Sequence, residues 1–269
     1  MTEGAEISER LVREIAPGLF ATAPEDSLSP SLQKGREEPA YEMKFLLERG
    51  KVAAVSDWAG QHLQRDPHAD PARGHQYRIH SLYFDTAELD VLHKSPGFKR
   101  KKYRIRRYGG ETFVYLEQKR KTGDRVAKRR VGVDNDEIDR LRDAVLDPEW
   151  LGHWFQHRIA RRRLRPTCQI SYDRQAYFTA TSEGGPIRLT LDRGLICRPA
   201  DGWTVGEIEE GTPLLFGETL LELKFSGHLP ALFKSMLQDQ GIVARPLSKY
   251  RLAAAACGLD SQAGRPTHA

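Results

Sequence analysis

The feature that most constrains the fold of this chain is a series of short segments in which charged and apolar residues alternate. Alternation with a period of two is typical of β-strands, because residues i and i+2 share one face of a strand. A Gly109-Gly110 pair separates two of these segments and predicts a hairpin turn. The predicted strands are residues 41–47, 77–85, 102–108, 112–119, 126–133, 167–178, 187–195 and 218–225.

Helical periodicity is limited to a few places. An amphipathic helix is predicted over 52–63, a helical insertion over 134–163 and a further helix over 229–240, and residues 246–250 are expected to close the structure. Many strands and few helices disfavour a parallel sheet with crossover helices. The predicted fold class is α+β, mainly β, with an antiparallel β-barrel and flanking helices.

The organised part of the chain is predicted to run from residue 40 to residue 256. Prolines punctuate the polar residues 1–39, which are predicted to be disordered, and residues 257–269 are predicted to form a loose tail. No apolar run is long enough for a transmembrane helix, and the first residues do not resemble a secretory signal. Three scattered cysteines match neither a disulfide framework nor a zinc site, so we expect reduced thiols in a cytoplasmic protein.

The charged residues fall on one face of almost every predicted strand, and apolar residues fall on the other. Residues that share a face are Glu42 with Lys44, Lys102 with Arg104 and Arg106, Glu117 with Lys119, Lys128 with Arg130, Tyr172 with Arg174, Arg188 with Thr190, and Glu222 with Lys224. In any one strand, a charged face usually meets solvent and an apolar face meets the core. Since the helices are few, we expect instead that the charged faces turn inward around a water-filled lumen, with the apolar faces outside.

Such a lumen would be strongly positive, and the whole chain has a formal net charge of +5. Two cations 6 Å apart repel by about 3 kcal/mol at an effective dielectric of about 20, so an anion is needed to offset them. The anion must be linear to thread the lumen and multiply charged, which favours a polyphosphate chain. The carboxylates Glu42, Glu117 and Glu222 are predicted to hold a divalent metal that bridges phosphate oxygens.

Short motifs in these strands resemble those of one known family, the VTC (vacuolar transporter chaperone) domain, which is the polyphosphate polymerase branch of the triphosphate tunnel metalloenzymes. The matching segments, spread over about residues 40–255, are Tyr41-Glu-Met-Lys-Phe-Leu-Leu47, Ser81-Leu-Tyr-Phe-Asp-Thr86, Lys102-Tyr-Arg-Ile-Arg-Arg-Tyr108, Leu116-Glu-Gln-Lys-Arg120, Lys128-Arg-Arg130, Tyr172-Asp-Arg174, Leu221-Glu-Leu-Lys224 and Ser248-Lys-Tyr250. Each segment is short, but their order and spacing agree with the family over the whole predicted domain.

The resemblance implies a closed tunnel of eight antiparallel strands that binds ATP by its triphosphate and requires Mn²⁺ or Mg²⁺. It implies that phosphates contact Lys44, Arg104, Arg106, Lys119, Lys128, Arg174, Arg188 and Lys249, that Tyr172 and Ser248 add hydroxyl hydrogen bonds, and that Glu222 binds the metal. We add Lys102, Arg130 and Lys224 as phosphate ligands because they share faces with these residues. The residues predicted to act in catalysis are Lys44, Arg104, Arg106, Lys119, Arg174, Arg188 and Lys249.

The implied activity is polymerisation, in which the γ-phosphoryl of ATP passes to a growing inorganic polyphosphate chain. Two alternatives stay open: a triphosphatase that hydrolyses tripolyphosphate or a nucleoside triphosphate, and a polyphosphate-binding module without turnover. Related hydrolases and cyclases carry Glu-x-Glu-x-Lys on the first strand, whereas here position 40 is Ala, which favours the polymerase. Nucleic acid is the least favoured ligand, because aliphatic residues separate the cations more often than aromatic ones do. We expect ATP and polyphosphate as partners and no insertion into a membrane.

Overall fold

Strands account for most of the regular structure in the computed structural model, which describes residues 35–36, 39–143, 145–181 and 185–262. The strands are β1 (Gly35–Arg36), β2 (Ala40–Leu47), β3 (Gln64–Arg65), β4 (Tyr77–Asp85), β5 (Lys101–Tyr108), β6 (Phe113–Thr122), β7 (Arg125–Asp134), β8 (Arg165–Thr181), β9 (Gly185–Pro199), β10 (Thr212–Pro213) and β11 (Thr219–Phe225). The α-helices are α1 (Arg49–His62), α2 (Asp90–His93), α3 (His153–Arg162), α4 (Ala231–Asp239), α5 (Lys249–Ala256) and α6 (Leu259–Gln262). Shorter 3₁₀ helices span Pro71–Arg73, Asn135–Arg142 and Leu215–Gly217.

The eight long strands close into a ring. Around it the order is β2, β7, β6, β5, β4, β8, β9 and β11, and β11 pairs with β2 to complete the circle. All neighbours are antiparallel. This arrangement confirms the predicted closed antiparallel tunnel of eight strands.

Helices cover the apolar outer faces of the ring in two places. Helices α1 and α4 pack on β2, β9 and β11, and this core includes Phe45, Val55, Leu189, Leu223 and Phe233, each at most 1% exposed. Helix α3 and the helix Asn135–Arg142 pack on β4 to β7, in a second core that includes Ile105, Leu116 and Phe155. Because the helices take the apolar faces, the charged faces are left to line the interior.

The segment 134–163 is helical as predicted but is not one helix. The helix Asn135–Arg142 begins with a capping box formed by Asp134 and Glu137, and α3 begins only at His153. Pro148 lies between them, and a proline disfavours helical geometry at the residue before it. The helical pattern of the sequence therefore covers two separate helices and the break between them.

Helix α5 enters one end of the ring. Ser248 caps its first turn by accepting a hydrogen bond from the backbone of Arg251, and Tyr250 stacks on Tyr83 from β4. The hydroxyl of Tyr250 donates to Asp85, which also accepts from the backbone of α2. The expected closure by residues 246–250 is therefore the start of a helix held to β4.

The predicted terminal segments lie mostly outside the described residues. Within the segment 1–39, Gly35–Arg36 pair with β7, and within the tail 257–269, α6 is helical. Among the helices that the structure describes, none combines the length and the apolar composition needed to cross a membrane.

Candidate functional site: the cationic tunnel

The interior of the ring is a cavity of about 770 Å³ with a strongly basic lining. Eighteen lysines and arginines and two glutamates border it, and the cations come from seven of the eight ring strands as well as from α5 and the loops at one mouth. The remaining ring strand, β4, contributes Tyr83. Alternation along each strand sets this composition, because the same backbone geometry that buries Ile105 outside points Arg104 and Arg106 inside.

Most residues predicted from the sequence border this cavity. They are Lys44, Lys102, Arg104, Arg106, Lys119, Lys128, Arg174, Arg188, Lys224, Ser248 and Lys249, together with Glu42 and Glu222. Three others, Glu117, Arg130 and Tyr172, lie in the wall behind them and are at most 3% exposed. Arg130 stacks on Tyr115, with its guanidinium carbon 3.4 Å from the ring centre.

Lys44 lies between two carboxylates. Its Nζ is 3.2 Å from Glu42 and 3.2 Å from Glu222, and Lys119 Nζ contacts Glu42 at 2.5 Å. Burial and the neighbouring Glu222 act to raise the pKa of Glu42, but Lys119 and Lys44 outweigh them and bring it to about 2. Burial likewise opposes the charged form of Lys44, yet the two carboxylates hold its pKa above the usual value. Both groups are therefore ionised at neutral pH.

A second ion pair lies deeper in the wall. Arg104 donates from Nε to Glu117 Oε2 at 2.6 Å, and its Nη1 donates to the Tyr83 hydroxyl at 3.2 Å. Burial acts to raise the pKa of Glu117, but Arg104 and the neighbouring cations hold it well below the ordinary value. Next along β5, Arg106 donates to the hydroxyl of Tyr172 at 3.0 Å. These contacts fix the direction of both guanidinium groups.

Asp192 joins two cations that come from distant elements. Arg174 on β8 donates to it from Nε at 2.6 Å and from Nη2 at 2.8 Å, and Lys249 at the start of α5 approaches its Oδ2 at 2.6 Å. Lys249 also lies over the ring of Tyr172, 4.8 Å from its centre. Asp192 is fully buried, and its ion pair with Lys249 holds the start of α5 in the tunnel.

Arg188 lies beside a different carboxylate, away from these pairs. It donates to Asp66 at 3.1 Å and to the hydroxyl of Tyr77 at 3.0 Å. Asp66 follows the short strand β3, which pairs with the outer part of β8. Burial raises the pKa of Tyr77, so its hydroxyl stays protonated and can donate a hydrogen bond in turn.

Lys102 is the cation whose charge is held least firmly. Its Nζ donates to Ser248 Oγ at 2.8 Å. Burial, together with repulsion from Lys44 and Lys119, lowers the pKa of Lys102 to about 7. An anion that entered here would favour the protonated form.

Sequence reasoning missed Asp192, Asp66, Tyr77 and Tyr83. A signal existed for Asp192, because it continues the alternation of Arg188 and Thr190 along the same strand face. Tyr77 and Tyr83 likewise sit at inward positions of the predicted strand 77–85. Asp66 lies outside the predicted strands, so the alternation could not indicate it.

The three predicted metal ligands do not meet at one point. Within the described ranges no three His, Cys, Asp or Glu side chains gather as a metal cluster. Glu42 and Glu222 converge on Lys44, whereas Glu117 is taken by Arg104 and Lys128. Two ionised carboxylates facing a basic cavity fit a hard divalent cation, which is commonly held by one or two carboxylates plus substrate phosphates.

Comparison with known proteins identifies a family. The family model described as "VTC domain" matches residues 39–257. No curated protein matches the chain significantly. Similar solved structures include a candidate adenylate cyclase from Bacillus halodurans, with 15% identity, TM-score 0.48 and coverage of 80% of this chain and 95% of that one. Another is the Hippeastrum protein HpAC1, a candidate adenylyl cyclase with a dominant triphosphatase activity, with 16% identity, TM-score 0.48 and coverage of 81% and 96%.

Proposed function

This chain belongs to the VTC domain family, and from that premise we propose that it transfers the γ-phosphoryl of ATP to the end of an inorganic polyphosphate chain inside the tunnel. The observation that carries the proposal is the closed lumen with Lys or Arg on seven of its eight strands. A linear polyanion is the ligand that can meet cations on all sides of such a lumen at once.

The proposed reaction needs positioning and charge neutralisation more than covalent chemistry. An oxygen of the terminal phosphate of the chain attacks the γ-phosphorus of ATP in line, the bond to the β-γ bridging oxygen breaks, and ADP leaves. Arg104 and Arg106 are preoriented by Glu117 and Tyr172, so they can stabilise the transferring group without reorganising. Asp192 orients Arg174 and Lys249 in the same way.

The ionisation of the tunnel carboxylates favours a phosphate acceptor over water. Glu42, Glu117, Asp192 and Glu222 each have a lowered pKa, because neighbouring cations outweigh the effect of burial. A general base works best with a pKa near the operating pH, so these groups are poor at activating water. A phosphate end is already anionic and needs no base. Ala40, where related hydrolases carry a glutamate, points the same way.

A divalent cation, Mn²⁺ or Mg²⁺, fits this proposal at Glu42 and Glu222. A bound cation would neutralise charge on phosphate oxygens. Lys44, now shared by the two carboxylates, would then be released to contact phosphate. Glu117 is the third proposed ligand, and its separation from the other two calls for a test of its own.

The test is to incubate the purified chain with ATP and Mn²⁺ and to separate the products by chain length. Polymerisation predicts long-chain polyphosphate, with one phosphoryl unit added to the chain for each ADP released. Release of inorganic phosphate without polymer would assign the protein to the triphosphatases. Polyphosphate binding without any turnover would make it a binding module. Cytoplasmic residence remains an expectation from the sequence.

A further inference from the structure

A second basic cavity lies outside the tunnel, at the C-terminal end of α3. It has a volume of about 530 Å³, and its lining includes four arginines, Arg158, Arg161, Arg162 and Arg163, with Phe98 and His157. Two carboxylates, Glu88 and Asp90, also border it, and Asp90 accepts a hydrogen bond from the hydroxyl of Thr86. The helix dipole favours cations at a helix C-terminus, which accounts for Arg161 and Arg162 in the last turn of α3 but not for Arg158.

This outer cavity joins the tunnel mouth at one backbone carbonyl. Arg162, from the outer cavity, donates to the carbonyl oxygen of Gly97 at 3.0 Å. Lys101, which borders the tunnel cavity, donates to the same oxygen at 2.6 Å. The two basic surfaces are therefore continuous, with cations from each brought together on a single acceptor.

The basic side chains at this junction outnumber the acidic ones. Burial lowers the pKa of Lys101, and repulsion from Arg162, Arg120 and Arg158 lowers it further. Among the described residues, the side chains of Arg158, Arg161 and Arg163 form no hydrogen bond or ion pair. Arg162 is held in place by Gly97 and by packing on Phe98, with its guanidinium carbon 4.8 Å from the ring centre. The two bordering carboxylates, Glu88 and Asp90, leave the four arginines in excess.

We propose that this outer cavity, which we call the α3 arginine cavity and define by Arg158, Arg161, Arg162 and Arg163, binds the part of a polyphosphate chain that extends beyond the tunnel. The proposal rests on the proposed function, since the chain must first be held in the tunnel. A phosphate bridging Lys101 and Arg162 would connect the two segments. A polyphosphate long enough to reach both surfaces binds the α3 arginine cavity in addition to the tunnel, and this second binding event costs no further translational entropy. Short ligands occupy the tunnel alone.

The experiment measures the Kd of tripolyphosphate and of long-chain polyphosphate for the wild-type chain and for the double variant Arg158→Gln/Arg161→Gln. The matched control is Arg73→Gln/Arg142→Gln, which removes two exposed arginines that border neither cavity. We expect the Arg158→Gln/Arg161→Gln variant to bind long-chain polyphosphate about tenfold more weakly than the control, and to lower the slope of log Kd against log salt by about two, by analogy with phosphate contacts in nucleic acids. Tripolyphosphate should bind as in the wild type.

The possible results separate this inference from the proposed function. If the double variant matches the control for both ligands, or weakens both equally, the α3 arginine cavity does not hold the chain. If the wild type binds neither ligand, the proposed function fails, and this inference fails with it. Arg161 is exposed, so the single variant Arg161→Gln supplies the same comparison should Arg158→Gln destabilise the fold.

Discussion

Arg104 and Glu117 form a buried ion pair in the tunnel wall, in which Nε and Nη2 of the arginine both lie 2.6 Å from Oε2 of the glutamate. The other oxygen, Oε1, accepts no hydrogen bond within the described residues and lies 3.8 Å from Lys128 Nζ. Glu117 therefore offsets a group of cations that would otherwise repel one another. It also competes with a phosphate ligand for the same cations.

Glu117→Gln should lower the stability of the protein without ligand and increase its affinity for anions. Breaking a buried ion pair on one side costs about 3–5 kcal/mol of the free energy of unfolding, because Arg104 is left uncompensated. A bound polyphosphate restores that compensation, so the melting temperature should recover when tripolyphosphate is added, and the Kd for tripolyphosphate should fall. Thermal melting with and without ligand measures both effects. If Glu117→Gln instead raises the Mn²⁺ concentration needed for activity, Glu117 is a metal ligand.

Glu222→Gln should reduce turnover by weakening metal binding. The amide removes one of the two anionic carboxylates that converge on Lys44, and an amide oxygen binds a divalent cation less strongly than a carboxylate. We expect the Mn²⁺ concentration at half-maximal activity to rise about tenfold or more. Glu210→Gln, at an exposed position before β10, is the control and should behave as the wild type. Unchanged polyphosphate binding and turnover in Glu222→Gln would contradict both enzymatic assignments.

The opposite faces of β5 should respond to substitution in opposite ways. Arg104→Ala and Arg106→Ala remove cations that border the tunnel, so ATP turnover should fall about a hundredfold or more. The protein should be destabilised but stay folded, because Lys128 still offsets Glu117 when Arg104 is lost. Ile105→Asp should unfold the protein, because it places an unpaired charge in the core between the ring and α3. Melting temperature and ATP turnover distinguish the two classes. A fully active Arg104→Ala/Arg106→Ala variant would remove this strand from the site.

Lys102 should make phosphate binding depend on pH near neutrality. Its pKa of about 7 in the empty tunnel rises when an anion binds, so binding takes up a proton above pH 7. The Kd for tripolyphosphate should therefore increase from pH 7 to pH 9, by at most about tenfold per pH unit. Lys102→Arg stays charged throughout and should flatten this profile. Lys234→Arg, at an exposed position on α4 outside both cavities, should keep the wild-type profile.

Lys102 should also make the stability of the protein without ligand depend on pH, and here a rise in pH is favourable. Because the pKa of Lys102 is lower in the folded state than in the unfolded state, the unfolded state binds more protons above pH 7. The contribution of Lys102 to the free energy of unfolding therefore becomes more favourable as pH rises through 7. Urea unfolding of the wild type and of Lys102→Arg, each without ligand at pH 6 to 9, measures this difference. An identical pH dependence in both proteins would contradict the lowered pKa.

The sequence alone determined which residues of a strand share a face, and the small number of predicted helices led us to expect that the charged faces turn inward. That division follows from the pleat of a strand, in which residues i and i+2 share a face regardless of what the rest of the chain does. The alternation by itself therefore placed Arg104 with Arg106, and Tyr172 with Arg174, on shared strand faces. The same rule applied to Asp192, whose position next to Thr190 and Arg188 in the alternation carried the signal.

Only the tertiary structure decided which of these charges meet. Lys102 reaches Ser248, and Arg174 shares Asp192 with Lys249, because ring closure and the entry of α5 bring together residues far apart in the chain. Those pairings depend on strand register and on the path of the loops, which local periodicity does not encode. Tertiary structure also places Glu117 away from Glu42 and Glu222. It likewise brings Lys101 and Arg162 together at the carbonyl of Gly97. No local sequence pattern relates the residues in either case.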